Sequence, residues 1–98
     1  MAYTLKVHRD VEKQLRRIPK KQRGRLVTTM RSLRDDPRPS GCVKLDDILY
    51  RVRQGQYRVI YVVFDKNVIV VDCKVARRAE DTYRNLKTLL DRAEKILG

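Results

Sequence analysis

Two runs of alternating apolar and polar residues meet at a glycine within residues 50–61, and this pattern constrains the fold more than any other stretch. It predicts two strands joined by a tight hairpin. With a two-residue turn at residues 54–55, Arg51 would face Arg58 on the neighbouring strand. Because side chains two residues apart share a face, Arg53 is predicted to lie beside them. Three guanidinium groups are therefore expected on one face of a small sheet, which we call the arginine face.

A second hairpin extends this sheet. Residues 57–65 are apolar on both sides of the predicted strand, as expected of a central strand covered on two faces. A tight turn at residues 66–67 leads into a third strand over residues 68–75. Continued by two residues, this register carries Arg77 onto the arginine face. The other end of that face is expected to be apolar, with Ile60, Val62, Phe64, Ile69 and Val71.

The remaining residues predict a short strand and three helices. The strand covers residues 3–8 and leads into a helical hairpin, in which Asp10 is the expected N-cap and Pro19 separates the two helices. A last helix is expected from about Glu80. The fold class is therefore α+β in a single domain, residues 1–98: a small antiparallel sheet of about four strands, mixed at its edge, with the helical hairpin on one face and the order β-α-α-β-β-β-α.

The charge of the chain points to an anionic partner. The 98 residues include 24 basic and 12 acidic side chains, a formal net charge of +12, and such a field attracts polyanions. Arginines outnumber lysines fifteen to nine, which suits bidentate phosphate binding. No acidic residue occurs between Tyr50 and Ile60, and like charges placed opposite each other cost stability. A polyphosphate-binding groove is thus favoured over separate neutralisation of each arginine.

Metal, membrane and secretory roles find no support in the sequence. His8 is the only histidine, and Cys42 and Cys73 form no CxxC pair, so neither a metal site nor a cofactor is expected. Both cysteines are expected to be small buried residues in a reducing compartment. No run of 18 apolar residues and no signal peptide occurs, so we expect a cytoplasmic protein without membrane contact.

The arginine face matches the needs of RNA cleavage by the ribose 2′-hydroxyl. That group is its own nucleophile, so the reaction needs alignment, stabilisation of negative charge and transfer of two protons, but no metal. The four arginines suit the electrostatic task, whereas an always protonated guanidinium makes no general base. Tyr83 follows near the start of the last helix. Its hydroxyl or ring could reach over the cluster, or it could be an ordinary core tyrosine, and both interpretations stay open.

Several segments together resemble the RelE/ParE superfamily, the small basic toxins of type II toxin–antitoxin pairs. They are residues 50–53, residues 57–61, the Asp36-Pro37 turn with Lys44-Leu45, and Arg77-Arg78 with Tyr83. The resemblance covers nearly the whole chain. It implies an mRNA interferase of the RelE-like branch: a ribosome-dependent, metal-independent endoribonuclease that cuts mRNA in the ribosomal A site, inhibits translation and is silenced by a RelB-like antitoxin.

The resemblance also implies roles for individual residues. Arg51 and Arg53 would hold the phosphate and assist proton removal, and Arg58 would stabilise the transition state. Arg77 would support charge or protonate the leaving oxygen, and Tyr83 would stack on or orient the cleaved base. Relatives often carry lysine where this chain has its first two arginines, so the identity of the general base stays open.

Further basic residues are expected to contact RNA or the ribosome. They are Lys20, Lys21 and Arg23 on the helical hairpin, Lys44 in the matched segment, and Arg78, which can stand in for Arg77 after a one-residue slip. An exposed helix face is often basic for no sharper reason, so a solvated surface is an equal interpretation of the hairpin residues.

Two other functions stay open. A ParE-like toxin would act on DNA gyrase through protein contacts, and a non-catalytic module would bind RNA or the ribosome without cutting. In the leading interpretation, the antitoxin is expected to cover residues 86–97 and to interfere with Tyr83. The partners are then the antitoxin, mRNA and rRNA, and the toxin–antitoxin complex could also bind operator DNA.

Overall fold

Five strands and three helices form the part of the chain that the computed structural model describes, residues 2–77 and 86–98. In chain order they are β1 (Thr4–Val7), α1 (Arg9–Arg16), α2 (Lys20–Ser32), β2 (Val43–Asp46), β3 (Leu49–Gln54), β4 (Tyr57–Phe64), β5 (Ile69–Arg77) and α3 (Leu86–Leu97). A 3₁₀ turn at Asp65–Asn67 joins β4 to β5. The predicted α+β class is confirmed.

The strands form one mixed sheet in the order β1-β5-β4-β3-β2. β1 pairs with β5 in parallel, and the other neighbours are antiparallel. A parallel pair needs a long crossover, and the helical hairpin α1–α2 lies within the connection from β1 to the rest of the sheet. β4 is central, and six of its eight residues are buried: Tyr57 and the unbroken run from Val59 to Val63.

Each face of the sheet carries its own apolar core. The face opposite the arginine face, here called the hairpin face, packs Val59, Tyr61 and Val63 against Val11, Leu26 and Met30 of the helical hairpin. The arginine face packs Ile60 and Val62 against Leu89 and Ala93 of α3. Alternation along β4 explains this division, because successive side chains point to opposite faces. Full burial of one such aliphatic side chain contributes about 1.5–3 kcal/mol.

The structure adds one strand and reassigns one helix cap. β2 is an edge strand of four residues with a register irregularity between Lys44 and Asp46, so the sheet has five strands where about four were predicted. The N-cap of α1 is His8, whose Nδ1 accepts a hydrogen bond from the backbone N–H of Asp10 at 3.1 Å. His8 therefore lies between β1 and α1 instead of belonging to the strand. Asp10 lies in the first turn of α1, where its charge complements the helix dipole.

A polar network fastens the loop between α2 and β2 to the sheet. Arg38 donates from Nη2 to Asp65 Oδ2 at 2.6 Å and from Nε to the Tyr50 hydroxyl at 3.0 Å. The Tyr3 hydroxyl donates to the other oxygen of Asp65 at 2.8 Å. Tyr61, stacked on Tyr50 with ring centroids 5.9 Å apart, donates its hydroxyl to a loop carbonyl at 2.7 Å.

Both cysteines are free thiols; Cys73 is buried and Cys42 is partly buried. Within the described residues, no helix combines the length and the apolar character needed to cross a membrane.

Candidate phosphate-binding site

The first hairpin brings three arginines to one face. Arg53 pairs directly with Arg58, and Arg51 pairs with Ile60, so all three side chains share the arginine face. The turn comprises residues 55–56, with Gly55 at φ +60°, a value suited to the first turn position of a two-residue hairpin. The predicted turn at residues 54–55 was wrong. The face was nevertheless assigned correctly. Moving the turn by one residue shifts each cross-strand partner by two positions, and side chains two positions apart lie on the same face.

The second hairpin contains a bulge that changes the face of its last residues. Tyr61 pairs with Asp72, but the next pair is Ile60 with Lys74, so Cys73 is an additional residue in β5. Beyond the bulge, Arg77 pairs with Tyr57 on the hairpin face, and its guanidinium carbon lies 6.0 Å from the Tyr57 ring centroid. The prediction that Arg77 joins the arginine face was therefore wrong.

The three arginines of the arginine face differ in their solvent exposure. Arg51 is only 8% exposed, and its Nε has no hydrogen-bond partner among the described residues. Arg58 is half-buried and Arg53 is exposed. No described carboxylate forms an ion pair with Arg51 or Arg53. A buried guanidinium without a counter-charge is costly, so the face favours an incoming anion.

The bulge adds one cation that sequence reasoning missed. Lys74 lies opposite Ile60, and Ala76, two residues further on, pairs with Arg58. Residues two apart on a strand share a face, so Lys74 lies on the arginine face as a diagonal neighbour of Arg58, about 7–8 Å away. Strict alternation from the turn would have placed Lys74 on the hairpin face, and only the bulge reverses it.

The other predicted RNA-binding residues lie elsewhere. Arg23 donates from Nε and Nη2 to the carbonyl of Ile18 at 3.3 and 3.2 Å, which gives it a structural role between α1 and α2. Lys20 and Lys21 are exposed on the first turn of α2, and Lys44 pairs with Tyr50 of the hairpin-face core. None of these four residues joins the three arginines. Arg78 and Tyr83 lie outside the described residues.

Two groups with shifted pKa values, Asp72 and His8, lie away from the three arginines of the arginine face. Burial raises the pKa of Asp72 to about 8, but this carboxyl is opposite Tyr61 on the hairpin face. Burial, reinforced by the charge of Arg92, lowers the pKa of His8 at the start of α1. The described part of the arginine face thus offers positive charge for phosphate and for a developing oxyanion, rather than a general base. No group of three or more His, Cys, Asp or Glu within the described ranges is arranged to hold a metal ion.

One family model and one curated relative that match this chain are those of toxins. The family model for the ParE toxin of the type II toxin–antitoxin system parDE matches residues 2–82. A Methanocaldococcus jannaschii protein with the provisional name toxin RelE1 is 31% identical over 90 residues, which is 87% of this chain and 99% of that protein.

Solved toxin structures share the fold. In the archaeal RelE–RelB complex from Pyrococcus horikoshii OT3, the matched chain is 33% identical with a TM-score of 0.76, over 82% of this chain and 99% of that one. The isolated E. coli RelE toxin is 20% identical with a TM-score of 0.70, over 99% of this chain and 100% of that one. At that identity the second likeness concerns the fold alone.

Proposed function

Because this chain belongs to the RelE/ParE superfamily of toxins from type II toxin–antitoxin systems, we propose that it is a RelE-like endoribonuclease that cuts mRNA in the ribosomal A site. The observation that carries this proposal is the cluster of Arg51, Arg53 and Arg58 on one face, with Arg51 buried and without a carboxylate partner among the described residues. Such a cluster binds the phosphodiester and stabilises the additional charge of the transition state.

The reaction needs little covalent help from the protein. The ribose 2′-oxygen attacks the adjacent phosphorus, a new 2′-O–P bond forms, and the bond to the leaving 5′-oxygen breaks, which gives a 2′,3′-cyclic phosphate. One proton leaves the 2′-hydroxyl and one reaches the 5′-oxygen. Arg51 and Arg53 hold the non-bridging oxygens, and Arg58 stabilises the pentavalent species. The ribosome completes the alignment of the message.

The bulge removes the support for Arg77 as the residue that assists the leaving oxygen, because Arg77 lies on the hairpin face. Arg78, which the resemblance offers as the alternative, is proposed for this role. Tyr83 is proposed to stack on or orient the cleaved base. Arg78 and Tyr83 belong to the segment outside the described ranges, and their roles rest on the resemblance alone.

Cleavage of translated message tests this proposal directly. Arg58→Ala should reduce the rate of mRNA cleavage on programmed ribosomes by about 10²–10³-fold, the usual loss for one charge-stabilising donor. Arg31→Ala, which removes an exposed arginine from α2, is the matched control and should cleave normally. Primer extension locates the cuts. Full cleavage and full growth inhibition by the Arg58→Ala variant would refute the assignment.

A RelB-like antitoxin is the proposed cytoplasmic partner. α3 contributes Leu89 and Ala93 to the core on the arginine face, so a segment that replaced or overlay α3 would act beside the arginines. Removal of residues 86–98 from a chain that still folds should therefore weaken antitoxin binding, as measured by calorimetry. Unchanged affinity would contradict this location. Operator DNA binding is proposed only for the toxin–antitoxin complex.

A gyrase-directed function is the second candidate, because the matching family model is that of ParE toxins. It makes an opposite prediction in cells. Induction would produce DNA breaks while translated messages stay intact, and the Arg58→Ala variant would remain toxic. A third result, tight ribosome binding without cleavage of any message, would indicate a non-catalytic module.

A further inference from the structure

A second basic surface lies where α1, β5 and α3 meet. A cavity of about 340 Å³ is lined there by Lys13 and Arg17 of α1, Lys74 of β5, and Arg92 of α3. The acidic side chain in its lining is Asp10, whose Oδ2 already forms an ion pair with Arg92 Nη2 at 2.9 Å. The cavity therefore has an excess of positive charge that the described carboxylates do not neutralise.

A second cavity adjoins the first along the edge of β5. The neighbouring cavity, of about 380 Å³, shares Gln14 and Arg17 with the first and ends at Arg77 beside Tyr57. β1 pairs with β5 only as far as Asp72, so the later part of β5 has a free edge, where Gln14 Oε1 accepts a hydrogen bond from the backbone N–H of Val75 at 2.9 Å. The two adjoining cavities together are here called the edge groove.

The bulge connects the edge groove to the arginine face. Lys74 lines the groove and is also the diagonal neighbour of Arg58 across one pair of strands. Leu89, Ile18 and Val75 supply apolar lining between the charges. An extended chain of regularly spaced phosphates joined by sugars matches this alternation of positive and apolar lining better than a compact anion does.

We propose that the edge groove binds the phosphodiester backbone of single-stranded RNA on the strand that leads away from the cleaved link, with Lys74 and Arg17 as phosphate-binding residues. The direction rests on the proposed function, which places the cleaved phosphate at the arginine face. An acidic protein segment is the competing occupant. RNA is favoured because one continuous strand would bridge Arg58 and Lys74 without a gap.

RNA length separates the two surfaces experimentally. The probes are fluorescein-labelled oligonucleotides of three and ten nucleotides that are fully 2′-O-methylated, so they cannot be cleaved. The Arg17→Gln/Lys74→Gln variant should bind the longer probe about tenfold more weakly, and two lost phosphate contacts should reduce the slope of log K against log salt by about 1.4. Affinity for the three-nucleotide probe should change by less than a factor of two. Fluorescence anisotropy measures both quantities.

Arg16→Gln provides the matched control, because it removes the same charge from the next position of α1, an exposed residue that does not line the groove. It should leave both affinities within a factor of two. The two single variants, with melting curves to verify folding, guard against a structural effect of the double change.

Three results would overturn the proposal: no binding of the longer probe by the native chain, equal losses in the control and the double variant, or weaker antitoxin binding with unchanged RNA affinity. The last would assign the groove to an acidic protein. Because the probes cannot react, none of these results depends on whether the native chain cleaves mRNA.

Discussion

Arg38 and Arg51 lie on either side of Tyr50 in the structure, yet their environments are opposite. Arg38 is about half exposed, and it donates to Asp65 and to Tyr50 while its guanidinium carbon lies 5.2 Å from the centre of the Tyr50 ring. Arg51 is next to Tyr50 in β3 but points to the arginine face, is almost fully buried, and has an Nε without a partner among the described residues.

The difference shows how a structural arginine can be told from a binding one. Asp65, and secondly Tyr50, raise the pKa of the Arg38 guanidinium, and Arg38 and Tyr3 lower the pKa of Asp65, so the pair is charged and mutually satisfied. The burial of Arg51 costs desolvation free energy, and no ion pair with a described carboxylate offsets this cost. In the proposed function, this buried cation, which the described residues leave unneutralised, is a binding group whose partner comes from outside.

The largest expected effect concerns Asp72, the described buried acid that has no hydrogen-bond partner on either side-chain oxygen. Its pKa is raised by burial to about 8, well above the unfolded value of 3.8, so the folded chain binds the additional proton between these values. The contribution of Asp72 to stability is fully present below pH 4 and is lost as the pH rises to 8, by at most about 1.4 kcal/mol per pH unit.

Asp72→Asn removes this titration. Urea unfolding at several pH values should show a much flatter pH dependence for the variant, and the variant should be the more stable protein at pH 9. Equal slopes in the two proteins would mean that the Asp72 carboxyl is solvated or paired. A flatter pH dependence would sharpen the comparison, because it would show that Asp72, sealed in the core, avoids the cost of an unpaired charge by binding a proton.

The next effect tests Arg51 itself. Arg51→Gln should reduce mRNA cleavage by about 10²–10³-fold, because a phosphate-binding charge is lost. The free energy of unfolding should stay equal or rise, since an uncompensated buried charge is removed. Single-turnover cleavage and urea unfolding measure the two outcomes. A variant that cleaves normally but is destabilised would place Arg51 with the structural arginines.

Arg38→Gln should show the reverse pattern with a smaller magnitude. It should lower the free energy of unfolding by about 1 kcal/mol, the usual contribution of a partly exposed ion pair and one hydrogen bond, because solvent screens this site. Cleavage at a temperature where the variant is fully folded should equal that of the native chain. A large loss of cleavage would break the distinction between the two arginines.

The smallest effect concerns the turn that carries Asp65. Val68 has φ +55° and ψ +47°, a left-handed conformation that a β-branched residue rarely adopts. Val68→Gly should raise stability by up to about 1 kcal/mol, because relief of strain exceeds the added entropy of the unfolded chain. Thermal melting would record the gain. A loss of stability would show that the valine side chain fixes the turn that presents Asp65 to Arg38.

The arrangement of the first hairpin could be predicted because a shift of the turn by one residue leaves each side chain on the same face of the sheet. The alternation in residues 50–61 gave the right face for three arginines although the turn lies one residue later. The position of Arg77 could not be predicted, since a bulge is a backbone irregularity that leaves no mark in the alternation of β5. The same irregularity hid Lys74, the described basic residue of β5 that shares the arginine face with Arg58.

Elements with few contacts were also hard to predict. β2 has four residues, none of them buried, and a short exposed edge strand resembles a loop in sequence. His8 was read as a strand residue because histidine is an uncommon N-cap. The pairing of Arg38 with Asp65 joins residues 27 positions apart, so it depends on tertiary folding and not on a local pattern.

The additional residue at Cys73 moves every later side chain of β5 to the opposite face of the sheet. In a relative without this bulge, the residue equivalent to Arg77 would lie on the arginine face. Comparing the basic residues of related chains therefore requires counting strand pairs before counting residues.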